Sequence, residues 1–157
     1  MNKLSSTLLI LLASTALHAQ CIPGGLAVVV PKTNPTDSIS VAQLRKLVMG
    51  DAHTWPDKSK VLLVTTDTEG TTFKCLLTEA VRMTMQEYHK YLLNAEFRGD
   101  EPLQIRTVDS PAGAVRTVSS SAGSFSVVGA ASLSALGGSV KVLSINGKQP
   151  GEPGYPL

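Results

Sequence analysis

Asp67, Gly70, Thr71 and Thr72 are the residues of this 157-residue chain whose types and spacing best fit a chemical task. They follow Val61-Leu62-Leu63-Val64, an aliphatic and β-branched run that reads as a short buried strand ending in a polar turn. After Gly70 the apolar residues Phe73, Leu76, Leu77, Ala80 and Val81 recur at helical spacing, leaving Lys74, Thr78, Glu79 and Arg82 for water. A helix that begins at the carboxyl end of a strand directs its first free N–H groups, and the positive end of its dipole, at whatever lies above. With Gly70, Thr71 and Thr72 at that point, the chemistry on offer is reception of a small oxyanion. Thr71 also fits the plainer role of capping a surface helix, which on this segment alone is the commoner use of such a residue.

No other stretch competes for chemistry. The chain has no Gly-x-Ser-x-Gly elbow, His-Glu-x-x-His helix, Walker phosphate loop or dinucleotide glycine pattern. Beyond the N-terminal segment only His53 and His89 remain, with no second histidine or cysteine at ligand spacing. His53 reads as a solvent-facing loop residue and His89 as an exposed or half-packed residue of an amphipathic helix. A Ser-His-Asp arrangement converges only in space and has no motif behind it here. The expectation is a non-enzymatic chain with no metal site and no cofactor.

The elements that position the loop lie in a chain with a distinct start. Lys3, the apolar run Leu8–Leu12 and the small residue Ala19 have the layout of a secretory signal peptide, with cleavage after Ala19. This gives a signal peptide over 1–19, one domain over 20–157, and a periplasmic or secreted location. Gln20 stands where a lipoprotein signal needs a small residue before Cys21, which argues against lipidation. No later segment is apolar for about 18 consecutive residues, so no membrane span is expected in the mature chain. The formal net charge of +2 is spread among interspersed acids and bases, and aromatic residues make up only 4%. Neither feature points to nucleic acid. Cys21 and Cys75 would meet an oxidising compartment after export, and both a disulfide and two unpaired thiols stay open.

In chain order, Leu26–Val30 closed by Pro31 reads as the first strand. Ser40-Val41-Ala42-Gln43 has capping-box form, with Leu44, Leu47 and Val48 inward and Gly50 as the stop. Trp55, in a turn-rich loop, reads as a packing anchor. Thr84-Met85-Gln86-Glu87 is a second capping box, opening a helix with Tyr88, Tyr91, Leu92 and Leu93 that fades near Phe97-Arg98-Gly99. A short strand is expected within Leu103–Val108, a helix from Ser110-Pro111, and strands at Phe125–Val128 and Val140–Ile145. The tail from Asn146 reads as irregular. Strands alternating with helices predict an α/β fold with a central mixed sheet flanked by helices.

These landmarks, in this order, resemble the phosphate-type substrate-binding proteins of ABC transporters, the PstS-like branch of the type 2 periplasmic-binding fold. The residues that carry the resemblance begin with Val29-Val30-Pro31, Thr33-Asn34-Pro35, Ile39-Ser40-x-x-Gln43-Leu44-Arg45 and Trp55-Pro56-Asp57. They continue with Thr65-x-Asp67-x-x-Gly70-Thr71-Thr72-x-x-x-x-Leu77 and Phe97-Arg98-Gly99 with Pro102. Last come Ala122–Val128, Ile145-Asn146-Gly147 and Gly154-Tyr155-Pro156-Leu157. In that family the loop reads Arg-x-Asp-Gly-Ser-Gly-Thr and holds phosphate. Here Thr65 takes the arginine position and Glu69 the serine position. Losing a guanidinium and gaining a carboxylate both disfavour a dianion.

The resemblance covers one lobe of a fold that in the family has two, so a single-lobe, half-length member is expected. It implies a solute-binding-like protein whose weak ligand is a phosphate-like inorganic anion, held by Asp67, Gly70, Thr71 and Thr72. As partners it brings in an ABC permease, another protein, or a second copy of the chain in a homodimer that completes the cleft. The rival expectation is an interaction module that keeps the fold without the ligand.

Overall fold

The computed structural model describes residues 21–157. The signal peptide expected over 1–19 lies outside the described residues. The elements are β1 (Leu26–Pro31), β2 (Ser38–Ile39), α1 (Val41–Met49), β3 (Leu62–Thr65), α2 (Thr71–Leu76), a π-helical turn (Leu77–Val81) and α3 (Met85–Arg98). They are followed by β4 (Gln104–Thr107), α4 (Pro111–Ser120), β5 (Ser124–Gly129), a 3-10 helix (Ala130–Ala135), β6 (Val140–Val142) and β7 (Ser144–Ile145).

A mixed five-stranded sheet runs in the order β4-β3-β5-β1-β6, and β2 pairs with β7 in a separate two-stranded sheet. β3 is parallel to β4 and β5, whereas β1 is antiparallel to both of its neighbours. All six residues of β1 are buried, as a strand covered on both faces requires. Alternate side chains divide between two cores. Leu26, Val28 and Val30 join the larger one, under α1, α2, the π-turn and α3, while Val29 joins Val64, Ala114, Val118, Leu136 and Val140 beneath α4.

Local chemistry fixes the helix ends. In α1 and α3 both halves of the capping box form, Ser40 with Gln43 and Thr84 with Glu87, and Gly50 and Gly99 end the helices in the left-handed conformation. Trp55 is 4% exposed; its Nε1 donates to the Gly123 carbonyl at 2.9 Å, and its ring meets Phe125 edge-on. On α3 the buried Tyr88 donates from its hydroxyl to the Val48 carbonyl, and burial pushes that phenol up to about 12. Cys21 and Cys75 are joined in a disulfide with Cα atoms 5.6 Å apart, tying the start of the described chain to α2.

Three expectations change. The single helix after Gly70 is a six-residue α-helix followed by the π-turn, ending at Arg82 with φ 62°. Thr78 Oγ1 donates back to the Lys74 carbonyl, competing with the backbone ladder where the helix widens. The apolar stripe survives the change, and Phe73, Leu76, Leu77, Ala80 and Val81 are all buried. The strand expected over Val140–Ile145 breaks at buried Leu143. There the backbone leaves β1, donating from Leu143 N to the Val28 carbonyl, and then joins β2, with Ser144 N donating to the Asp37 carbonyl. Finally, the irregular tail is not only surface, because Tyr155 and Leu157 pack into the larger core.

Candidate functional site

The loop between β3 and α2 is built by its own side chains. Asp67 N donates to Thr65 Oγ1, and Thr65 Oγ1 donates to the Asp67 carbonyl, each at 3.3 Å. Asp67 Oδ1 accepts from Glu69 N at 2.8 Å, an Asx turn that brings the carboxylate back over the loop. Gly70 leaves room for this, since a Cβ there would lie 3.1 Å from Asp67 Oδ2. The structure thus places Asp67 as the loop's internal brace, held together with Gly70, Thr71 and Thr72 in one short segment.

Helix α2 starts with Gly70 as its N-cap, and no side chain caps it. The expectation that Thr71 is the cap is therefore corrected. Thr71 is the first helical residue, one position too far along for its hydroxyl to serve, and it is exposed. The first N–H groups of α2 consequently lack the side-chain acceptors that α1, α3 and α4 receive from Ser40, Thr84 and Ser110. Donors and hydroxyls are present, but the segment 65–72 carries no lysine or arginine. Thr65 brings no charge, and Glu69 Oε1 lies 3.5 Å from His89 Nε2 on α3, both side chains being exposed. This contact, worth little in water, turns the Glu69 carboxylate toward α3. Spacing alone did not reveal the contact, because it depends on how α3 packs beside the loop.

Among the described residues no group of three histidine, cysteine, aspartate or glutamate side chains could hold a metal ion, and no helix is long and apolar enough to cross a membrane. His53 is exposed in its loop, as its sequence context implies.

No protein-family model matches the chain, and no curated protein matches it. Solved structures do share its fold. One, from Clostridium perfringens, is assigned as a phosphate ABC transporter substrate-binding protein with bound phosphate; it is 13% identical with a TM-score of 0.62, and the match covers 80% of this chain and 46% of that one. PstS from Borrelia burgdorferi is 17% identical with a TM-score of 0.59, covering 80% and 48%. An ABC-type phosphate transport receptor from Vibrio cholerae is 16% identical with a TM-score of 0.54, again covering 80% and 48%.

The chain has the α/β fold of these phosphate ABC transporter substrate-binding proteins, as its motifs led one to expect. It spans less than half the length of each.

Proposed function

We propose that this chain is an exported, non-enzymatic, solute-binding-like protein that holds a small oxyanion weakly at the Asp67–Thr72 loop. The observation that carries the reading is the uncapped start of α2 at the carboxyl end of β3, within a fold shared with phosphate-binding proteins. In this reading the N–H groups of Gly70, Thr71 and Thr72 and the two hydroxyls donate to the anion, while Asp67 orients the loop. Thr65 in place of an arginine, and Glu69 close by, keep the affinity low. Transfer of the ligand to an ABC permease is the corresponding role for the chain within a transport system.

Isothermal titration of the mature chain with phosphate and then sulfate, at low ionic strength, tests this. A saturable heat in the millimolar range supports it; no heat at millimolar anion removes it.

One observation favours the rival reading, a fold kept for protein contact. Leu93 and Phe97, one helical turn apart on α3, are 57% and 90% exposed, whereas α3's other large apolar residues pack inward at least in part. Under that reading, replacing both with serine abolishes self-association or partner capture and leaves anion titrations unchanged.

A further inference from the structure

A second cluster of polar groups lies on the opposite face of the sheet from α2. β4 is the edge strand, and its register with β3 sets which way its residues face. Ile105 pairs with Leu63 and packs on the larger core, whereas Gln104 and Arg106 pair with Leu62 and Val64, which belong to the core beneath α4. Arg106 therefore stands on the α4 side. On α4, Ala114 and Val118 are buried, while Gly113, Arg116 and Thr117 share a neighbouring face at i, i+3 and i+4.

Together with Thr107, Val108, Asp109 and Ser110, these residues line a cleft of about 330 Å³. Two guanidiniums thus border one cleft. Among the described residues neither is paired with a carboxylate, the ion pairs lying elsewhere at His89–Glu69, Arg98–Asp100 and Lys141–Asp37.

Two guanidiniums on one cleft outnumber its single carboxylate, Asp109, which pairs with neither; an oxyanion would relieve that balance, and arginine binds phosphoryl oxygens in bidentate fashion. The volume exceeds what a bare anion needs and lies at the lower end of small-molecule sites. Asp109 repels a bare anion but accepts from a hydroxyl, and Thr117 can donate to or accept from one. We propose that this cleft is a second ligand site, separate from the Gly70 loop, for the phosphoryl group of a small hydroxylated phosphate ester. Arg106 and Arg116 hold the phosphoryl oxygens, and Asp109 and Thr117 address the hydroxyls.

The test is an amide-resonance titration of the isotope-labelled mature chain with glycerol phosphate, inorganic phosphate and glycerol, in wild type and in Arg106→Gln, Arg116→Gln and Asp109→Asn. Both arginines are exposed, so the variants fold, and circular dichroism verifies it. The amides of Thr107, Gly113 and Thr117 are expected to shift saturably, with glycerol phosphate binding more tightly than inorganic phosphate. Each arginine variant weakens binding roughly tenfold, and Asp109→Asn narrows the preference for the ester. The proposal is overturned if those amides do not respond at millimolar ester, if the response survives both arginine substitutions, or if the ester binds no better than inorganic phosphate. Because the readout is confined to the cleft, failure here is separable from failure at Gly70–Thr72.

Discussion

Among the described glycines, Gly123 is the one where an added Cβ would come nearest another atom, which makes Gly123→Ala a sharp test of the packing. A Cβ on Gly123 would stand 1.8 Å from the Lys60 carbonyl oxygen, a backbone atom, where real contacts essentially never fall below 3.0 Å. The two backbones would have to part by an ångström or more. The same carbonyl of Gly123 accepts from Leu62 N and from Trp55 Nε1, so the shift strains the entry to the β3–β5 pairing and the tryptophan anchor together. Overpacking costs about 1–3 kcal/mol, and leaving a buried donor without its acceptor about 1–3 kcal/mol more. The sum, about 2–6 kcal/mol, is a large share of a small domain's stability. Urea unfolding followed by the fluorescence of Trp55, the only tryptophan, measures it directly. A loss under about 1 kcal/mol, with unchanged native tryptophan emission, would refute the packing argument.

Further outcomes follow from the disulfide, the caps and the buried phenol. Reducing Cys21–Cys75, or replacing Cys75 with serine, frees a loop with sequence separation 54 and should cost about 4 kcal/mol in the chain-entropy account, read as a drop in urea midpoint. Thr84→Ala, which removes a working cap, should cost about 1 kcal/mol. Thr71→Ala should stay within about 0.5 kcal/mol, so equal losses in the two variants would contradict the placement of Gly70 as the cap of α2. Tyr88 gives an alkaline limit. Its folded value lies above its ordinary 10, so its contribution is intact below pH 10 and is lost as the pH rises toward about 12. The slope is about 1.4 kcal/mol per pH unit, and Tyr88→Phe should flatten that part of the stability profile.

What could be read from the sequence is what neighbouring residues decide among themselves. Ser40 with Gln43, and Thr84 with Glu87, specify two helix starts within four residues, and Gly50 and Gly99 mark the stops. The unbroken apolar run of β1 announces a strand buried on both faces. Elements set by distant partners stayed hidden. The break at Leu143 exists because Val28 in β1 and Asp37, just before β2, offer carbonyls to successive residues; the π-turn is local, accompanied by the bond from Thr78 to the Lys74 carbonyl, and helical spacing does not announce it. At the candidate site the residue types were legible, since Asp67, Gly70, Thr71 and Thr72 lie close together in sequence, across a loop and the start of α2. The roles were less so, because the Asx turn of Asp67 and the contact of Glu69 with His89 depend on the folded loop and on α3. The Arg106–Arg116 cleft needs both strand register and helix placement before its two arginines come together.

The central claim is that the start of α2 receives an oxyanion. The most direct measurement follows the amide resonances of Gly70, Thr71 and Thr72 while inorganic phosphate is added at low ionic strength to the chain from Gln20 onward and to its Thr72→Ala variant. Saturable shifts of these three amides, weakened in the variant, are the predicted result. Amides that stay in place up to millimolar phosphate, while the rest of the spectrum is that of a folded protein, would contradict it.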